Sequence, residues 1–77
     1  RLFREETGMS PLQWILAQRV ILARRILEAT DEPIENIPPR CGFATPAAFR
    51  TQFRRLVGTT PSHYRESARL TMKSPAS

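Results

Sequence analysis

An all-α fold is predicted by three features of the sequence. Apolar residues recur at three- and four-residue steps, hydroxyl–proline pairs open the periodic stretches, and glycines stand at the breaks between them. The pairs are Ser10-Pro11, Thr45-Pro46 and Thr60-Pro61, and the glycines are Gly8, Gly42 and Gly58. Two of these punctuation marks belong to a repeat at an offset of 50 residues: Phe3-Arg4, Gly8, Ser10-Pro11 and Trp14 return as Phe53-Arg54, Gly58, Thr60-Pro61 and Tyr64. Each copy reads as the end of one helix, a glycine stop and the capped start of the next.

Ser10-Pro11-Leu12-Gln13 supplies a serine N-cap, a proline at the first helical position and a glutamine at the third to close a capping box. The helix it opens is predicted to run to about Ala29, with Leu12, Ile15, Leu16, Arg19, Val20, Ala23, Ile26 and Leu27 along one mostly apolar stripe. Thr30-Asp31-Glu32-Pro33 ends it. Ile34 and Ile37 begin a second, short element, which Pro38 and Pro39 are expected to reduce to one distorted turn. Pro38 has no N–H for the carbonyl of Ile34, so replacing it with Ala is expected to stabilise a helix there by about 1–3 kcal/mol. Gly42 is expected to supply the positive φ of a tight turn, with Phe43 falling into the core behind it.

Thr45-Pro46 opens a helix over 46–56, with Phe49, Phe53 and Leu56 inward and Arg50, Arg54 and Arg55 outward. Gly58 stops it. Thr60 caps a last helix from Pro61 to about Arg69, with Tyr64 and Ala68 on its inner side, and residues 70–77 read as a disordered tail.

At 77 residues the chain holds one small domain, here placed at 1–69. One cysteine excludes an internal disulfide framework, no apolar run is long enough to span a membrane, and a cytoplasmic location is expected. The first residue is not methionine, and Arg1 to Glu6 read as a helix already under way, so a truncated domain is expected. The net charge of +5 is unevenly placed: residues 1–39 carry −1, residues 40–77 carry +6. That asymmetry favours an anionic partner for the C-terminal half.

From Ile34 to Leu56 a short helix, a glycine turn and a capped amphipathic helix follow one another, which is the helix-turn-helix arrangement. Its second helix has the form of one that enters the major groove. The order and spacing of Ile34-Glu35-Asn36-Ile37, Gly42-Phe43, Phe49, Phe53-Arg54-Arg55, Gly58, Thr60-Pro61 and Tyr64-Arg65 resemble the C-terminal signature of the AraC/XylS family of bacterial transcription regulators. Gly8, Ser10-Pro11, Trp14, Arg19, Ala23 and Leu27 resemble the part of that domain just before it.

The resemblance implies two helix-turn-helix units joined by the long helix 11–29, the first incomplete and the second complete, with residues 1–6 ending the first recognition helix. It implies double-stranded DNA as partner, no cofactor and no catalysis, and a sensory or dimerising domain elsewhere in a full-length regulator. Pro46, Ala47, Ala48 and Thr51 match the family's groove-facing positions; they offer methyl contacts and one short hydrogen bond, with no bidentate reader among them. Arg50, Arg54 and Arg55 are expected on phosphates, which adds affinity more than discrimination. Arg40 and Thr45 complete the expected DNA-binding set. Pro38 departs from the family pattern, where a small helix-compatible residue is expected.

Other candidates for chemistry are weak. Cys41 has no histidine or acid at triad or metal-ligand spacing and reads as a buried small residue. His63 stands alone near a helix start, and Trp14 and Tyr64 are expected to pack the cores of the two units. The alternative to DNA binding is a helical interaction module whose basic face meets an acidic protein.

Overall fold

The computed structural model describes residues 8–73, all helix, turn and coil. Four helices follow in order: α1 (Pro11–Ala29), α2 (Ile37–Arg40), α3 (Pro46–Val57) and α4 (Pro61–Lys73), with a 3-10 turn at Ile34–Asn36 leading into α2. Residues 1–6, expected to end a first recognition helix, lie outside the described residues, as do 74–77.

The 50-residue repeat is structural as far as it is described. Gly8 and Gly58 both take positive φ, at 75° and 95°. Two residues later Ser10 Oγ accepts from the Gln13 N–H at 3.2 Å, and Thr60 Oγ1 accepts from the His63 N–H at the same distance. The first helical backbone bonds match as well, Trp14 N to Ser10 O at 3.0 Å and Tyr64 N to Thr60 O at 2.9 Å. Gln13 reaches back to the Ser10 N–H at 3.1 Å, completing the capping box. Thr45 opens α3 in the same manner, accepting from Ala48 N at 3.1 Å. Each cap satisfies one of the donors a helix start leaves unpaired, worth about 1 kcal/mol.

The core gathers Val20, Ala23, Ile26 and Leu27 of α1, Ile37, Cys41 and Phe43 around the turn, and Phe49 and Phe53 of α3. A file of rings runs through it. Phe43 and Phe49 meet edge to face at 5.4 Å, Phe49 and Phe53 tilted at 5.6 Å, and Phe53 and Tyr64 edge to face at 5.7 Å. Tyr64 joins α4 to both neighbours. Its ring lies on Phe53, its hydroxyl donates to Glu28 of α1, and it accepts from Arg24 Nε at 3.2 Å. That bond to Tyr64 pushes the Arg24 guanidinium pKa up from its already high ordinary value.

Four expectations need correction. Pro38 does not break a helix: Ile37 N–H already bonds the Ile34 carbonyl in the 3-10 turn, and Pro38 sits in the first turn of α2, where a helix needs no N–H. The supporting element is therefore two short turns of different pitch rather than one distorted turn. Pro38 is fully buried, and its carbonyl accepts from Cys41 N at 3.1 Å and Phe43 N at 3.0 Å.

Second, Leu56 is exposed while Val57 packs on the core. Phe49, Phe53 and Val57 are four residues apart, so the buried stripe follows that row. Third, α4 continues four residues past Arg69 to Lys73, because no glycine or proline intervenes before Pro75. Fourth, Leu12 and Ile15 are 63% and 40% exposed, so burial on α1 becomes continuous only from Val20 onward. Trp14 is 41% exposed, whereas Tyr64 is half-buried in the expected way.

Candidate nucleic-acid interface

α3 contains no acidic residue, and its sequence divides cleanly by rotation. At 100° per residue, Phe49 and Phe53 point to the core while Ala47, Thr51 and Arg54 form a row on the opposite side. Arg50 and Arg55 flank that row, one on each side. Pro46, Ala47, Ala48, Arg50, Thr51, Arg54 and Arg55 are all exposed, as is the capping Thr45. The helix start is small and smooth, with the arginine bulk set one to two turns further on. Pro46 and Phe49 pack toward the supporting element across a cleft of 140 Å³ that Ile34, Pro38 and Arg50 also line.

The arginines differ in how free they are. Arg55 donates Nε and NH2 to Gln52 Oε1 at 3.2 and 3.0 Å, a fork that keeps its head beside the helix. Arg40 stands apart from the other eight expected residues, at the end of α2. Its NH1 meets Glu32 Oε1 at 2.5 Å, so an acid of the α1–α2 connection compensates its charge. Nothing in the sequence signals this pair, whose partners lie eight residues apart with a 3-10 turn between them.

Arg19 of α1 is a further cation that its place in an apolar stripe conceals. Its side chain lies across Gly42 in the turn, with Nε 3.0 Å from where a β-carbon on that glycine would stand. Gly42 has φ of 89°, so the turn favours glycine for its backbone, and the bare α-carbon also spares Arg19 a shift of a few tenths of an ångström.

Cys41 is buried, and burial pushes its thiol pKa up despite the nearby Arg40 charge. It is unsuited to nucleophilic work. Among the described residues no three His, Cys, Asp or Glu side chains converge on a common point, and no helix is long and apolar enough to cross a membrane.

A capped helix presented by a short supporting element, a glycine turn and a long scaffolding helix defines a helix-turn-helix module of the DNA-binding class. A family model described as a helix-turn-helix domain matches residues 1–67. The chain is similar to the HTH-type transcriptional regulator Rv1931c of Mycobacterium tuberculosis, with 39% identity over 67 residues, 87% of this chain and 26% of that protein. It is also similar to the HTH-type transcriptional activator RhaS of an Enterobacter species, with 36% identity over 66 residues, 86% of this chain and 24% of the relative. Among solved structures, the DNA-binding domain of the global transcriptional factor AdpA, in complex with a target DNA, superposes with a TM-score of 0.83 at 46% identity, covering 91% of this chain and 63% of that one.

This chain belongs to the AraC/XylS family, as a non-catalytic, all-α domain of the double helix-turn-helix type. It spans about a quarter of the length of the curated relatives it matches.

Proposed function

We propose that this chain binds double-stranded DNA as the DNA-binding part of a transcription regulator, and that its second helix-turn-helix contributes mainly phosphate contacts. One observation carries the reading: α3 exposes a first turn of Pro46, Ala47 and Ala48 and then Arg50, Arg54 and Arg55, with no carboxylate on the helix. Small residues let the backbone approach base edges closely but offer only methyl groups to thymine. Thr51 adds a single short hydroxyl. Arginines on either side of the outward row reach the sugar–phosphate walls and fix orientation. Arg40 enters this set only by exchanging Glu32 for a phosphate. The likeness to the AdpA domain solved with target DNA supports the same partner. A sensory or dimerising domain accompanies this one in the same proposal, supported by relatives about four times as long.

The test is binding to several unrelated duplexes across a salt series. Each neutralised phosphate contributes about 0.9 to the slope of log affinity against log salt. A steep slope shared by all duplexes, with little discrimination between them, is the expected result. A shallow slope together with tight capture of an acidic protein would instead mark an interaction module.

A further inference from the structure

The C-terminal end of α1 has no basic residue in its last turn and no glycine stop. Thr30 closes the Ile26 carbonyl locally, through its N–H at 3.0 Å and its hydroxyl at 2.8 Å, while the Leu27 carbonyl and those just beyond it are met from the far end of the chain. Arg65 of α4 donates Nε to Leu27 O at 3.0 Å and NH1 to Glu32 O at 2.7 Å. Arg69, one turn later, donates NH2 to Thr30 O at 2.6 Å and pairs NH1 with Asp31 at 2.6 Å. Three backbone carbonyls and one carboxylate at the exit of α1 are thus gripped by two arginines 33 to 39 residues away in sequence. The positive heads also stand at the negative end of the α1 dipole. Both side chains are partly buried, and each leaves one buried nitrogen unpartnered, Arg65 NH2 and Arg69 Nε.

We propose that Arg65 and Arg69 are positioning residues for DNA recognition: they set the direction of the recognition helix relative to the long helix without touching DNA. α4 acts as a strut. Tyr64 presses on Phe53 of α3 at 5.7 Å, and the arginines one and five residues later hold the end of α1. The angle between α1 and α3 is therefore fixed through α4 and not only through the core. In a domain with two helix-turn-helix units on one long helix, that angle decides whether both recognition helices meet successive turns of one groove. The planar guanidinium can serve two carbonyls at once, which a lysine ammonium on its flexible stem cannot do in the same geometry. The consequence for DNA rests on the DNA-binding reading above, while the geometry does not.

The test separates the two. Spin labels at Gln18→Cys and Leu56→Cys, in a Cys41→Ala background, report the distance between α1 and α3 in the absence of DNA. Arg65→Lys with Arg69→Lys keeps the net charge; the expected result is a broadened distance distribution at unchanged helix content. On a duplex, the same double variant without labels is expected to bind roughly tenfold more weakly with an unaltered salt slope. Arg69→Lys alone serves if the double variant does not fold, and is expected to broaden the distribution by a smaller amount. An unchanged distribution in the folded lysine variants would overturn the proposal. So would a salt slope lowered by Arg65→Gln with Arg69→Gln in step with the affinity, since that marks phosphate contacts. If the parent chain binds no duplex, the DNA-binding reading fails, and the distance measurement still decides whether the clamp sets the angle.

Discussion

Arg19 lies across the α-carbon of Gly42, so the long helix and the helix-turn-helix turn meet at a point where a side chain would have to push the guanidinium aside by a few tenths of an ångström. A β-carbon there would stand 3.0 Å from Arg19 Nε, whereas one on Gly58 would meet nothing within 4 Å. Both glycines have similar positive φ, 89° and 95°. Gly58→Ala is expected to cost the backbone strain alone, about 1–2 kcal/mol, and Gly42→Ala that strain plus displacement of Arg19. Denaturant melts of the two variants measure the difference. Equal losses would mean that Arg19 swings aside freely and does not pin the turn.

Pro38→Ala is expected to destabilise the domain by about 1–2 kcal/mol, opposite in sign to what the sequence suggests. The Ile34 carbonyl is already bonded to Ile37, so a new N–H at position 38 gains at most a shared acceptor. The variant empties space under a fully buried ring and frees the unfolded chain. Relief of the restriction that a proline places on the helical Ile37 before it offsets part of this. A variant more stable than the parent in urea would show that strain at Ile37 outweighs the packing of the ring.

Removing Arg54 and Arg55 together is expected to weaken binding nearly equally on every duplex and to lower the salt slope by roughly 2. Arg55 must leave Gln52 to reach a phosphate, so Arg54→Ala is expected to account for the larger share of the lost affinity. Loss confined to one preferred site, with the slope intact, would make these residues base readers.

Cys41 gives the domain a dependence on alkaline pH. Burial raises the thiol pKa in the folded state, so its contribution to stability is fully present below the unfolded thiol value, about 8.5, and is lost as pH rises through the folded value. Melting midpoints from pH 7 to 10 are expected to fall more for the parent than for Cys41→Ala. Thiol reagents are expected to react only as fast as the protein opens, because the side chain is buried. Parallel pH profiles for the two proteins would remove Cys41 as the cause.

What the sequence made legible is local. Ser10, Thr45 and Thr60 each cap the helix they precede, Gly42 and Gly58 take the positive φ expected of them, and Phe49 and Phe53 fill the core. Each of these is decided within four or five residues, where spacing and side-chain chemistry suffice. The outward placement of Arg50, Arg54 and Arg55 on α3 was legible for the same reason, since rotation along one helix orders exposure. The pairing of Arg40 with Glu32 was not, because the fold of the connection makes it. Nor was the grip of Arg65 and Arg69 on the end of α1, since they look like ordinary surface cations on a helix until that end comes beside them. The choice between Leu56 and Val57 also depends on where the core lies, and both satisfy the periodicity.

The arginine grip on α1 also orders events in time. The starts of α1, α3 and α4 are capped by their own neighbours and become complete as soon as those few residues leave the ribosome. The exit of α1 is only partly so: Thr30 closes the Ile26 carbonyl at once, but Leu27 and Glu32 wait for Arg65, and Thr30 waits for Arg69. A nascent chain that has already made the long helix, the turn and the recognition helix still lacks what closes the first of them. These contacts of the α1 exit therefore close only when the last helix arrives, and a chain stopped before Arg65 holds every expected DNA-contacting residue on a scaffold that lacks them.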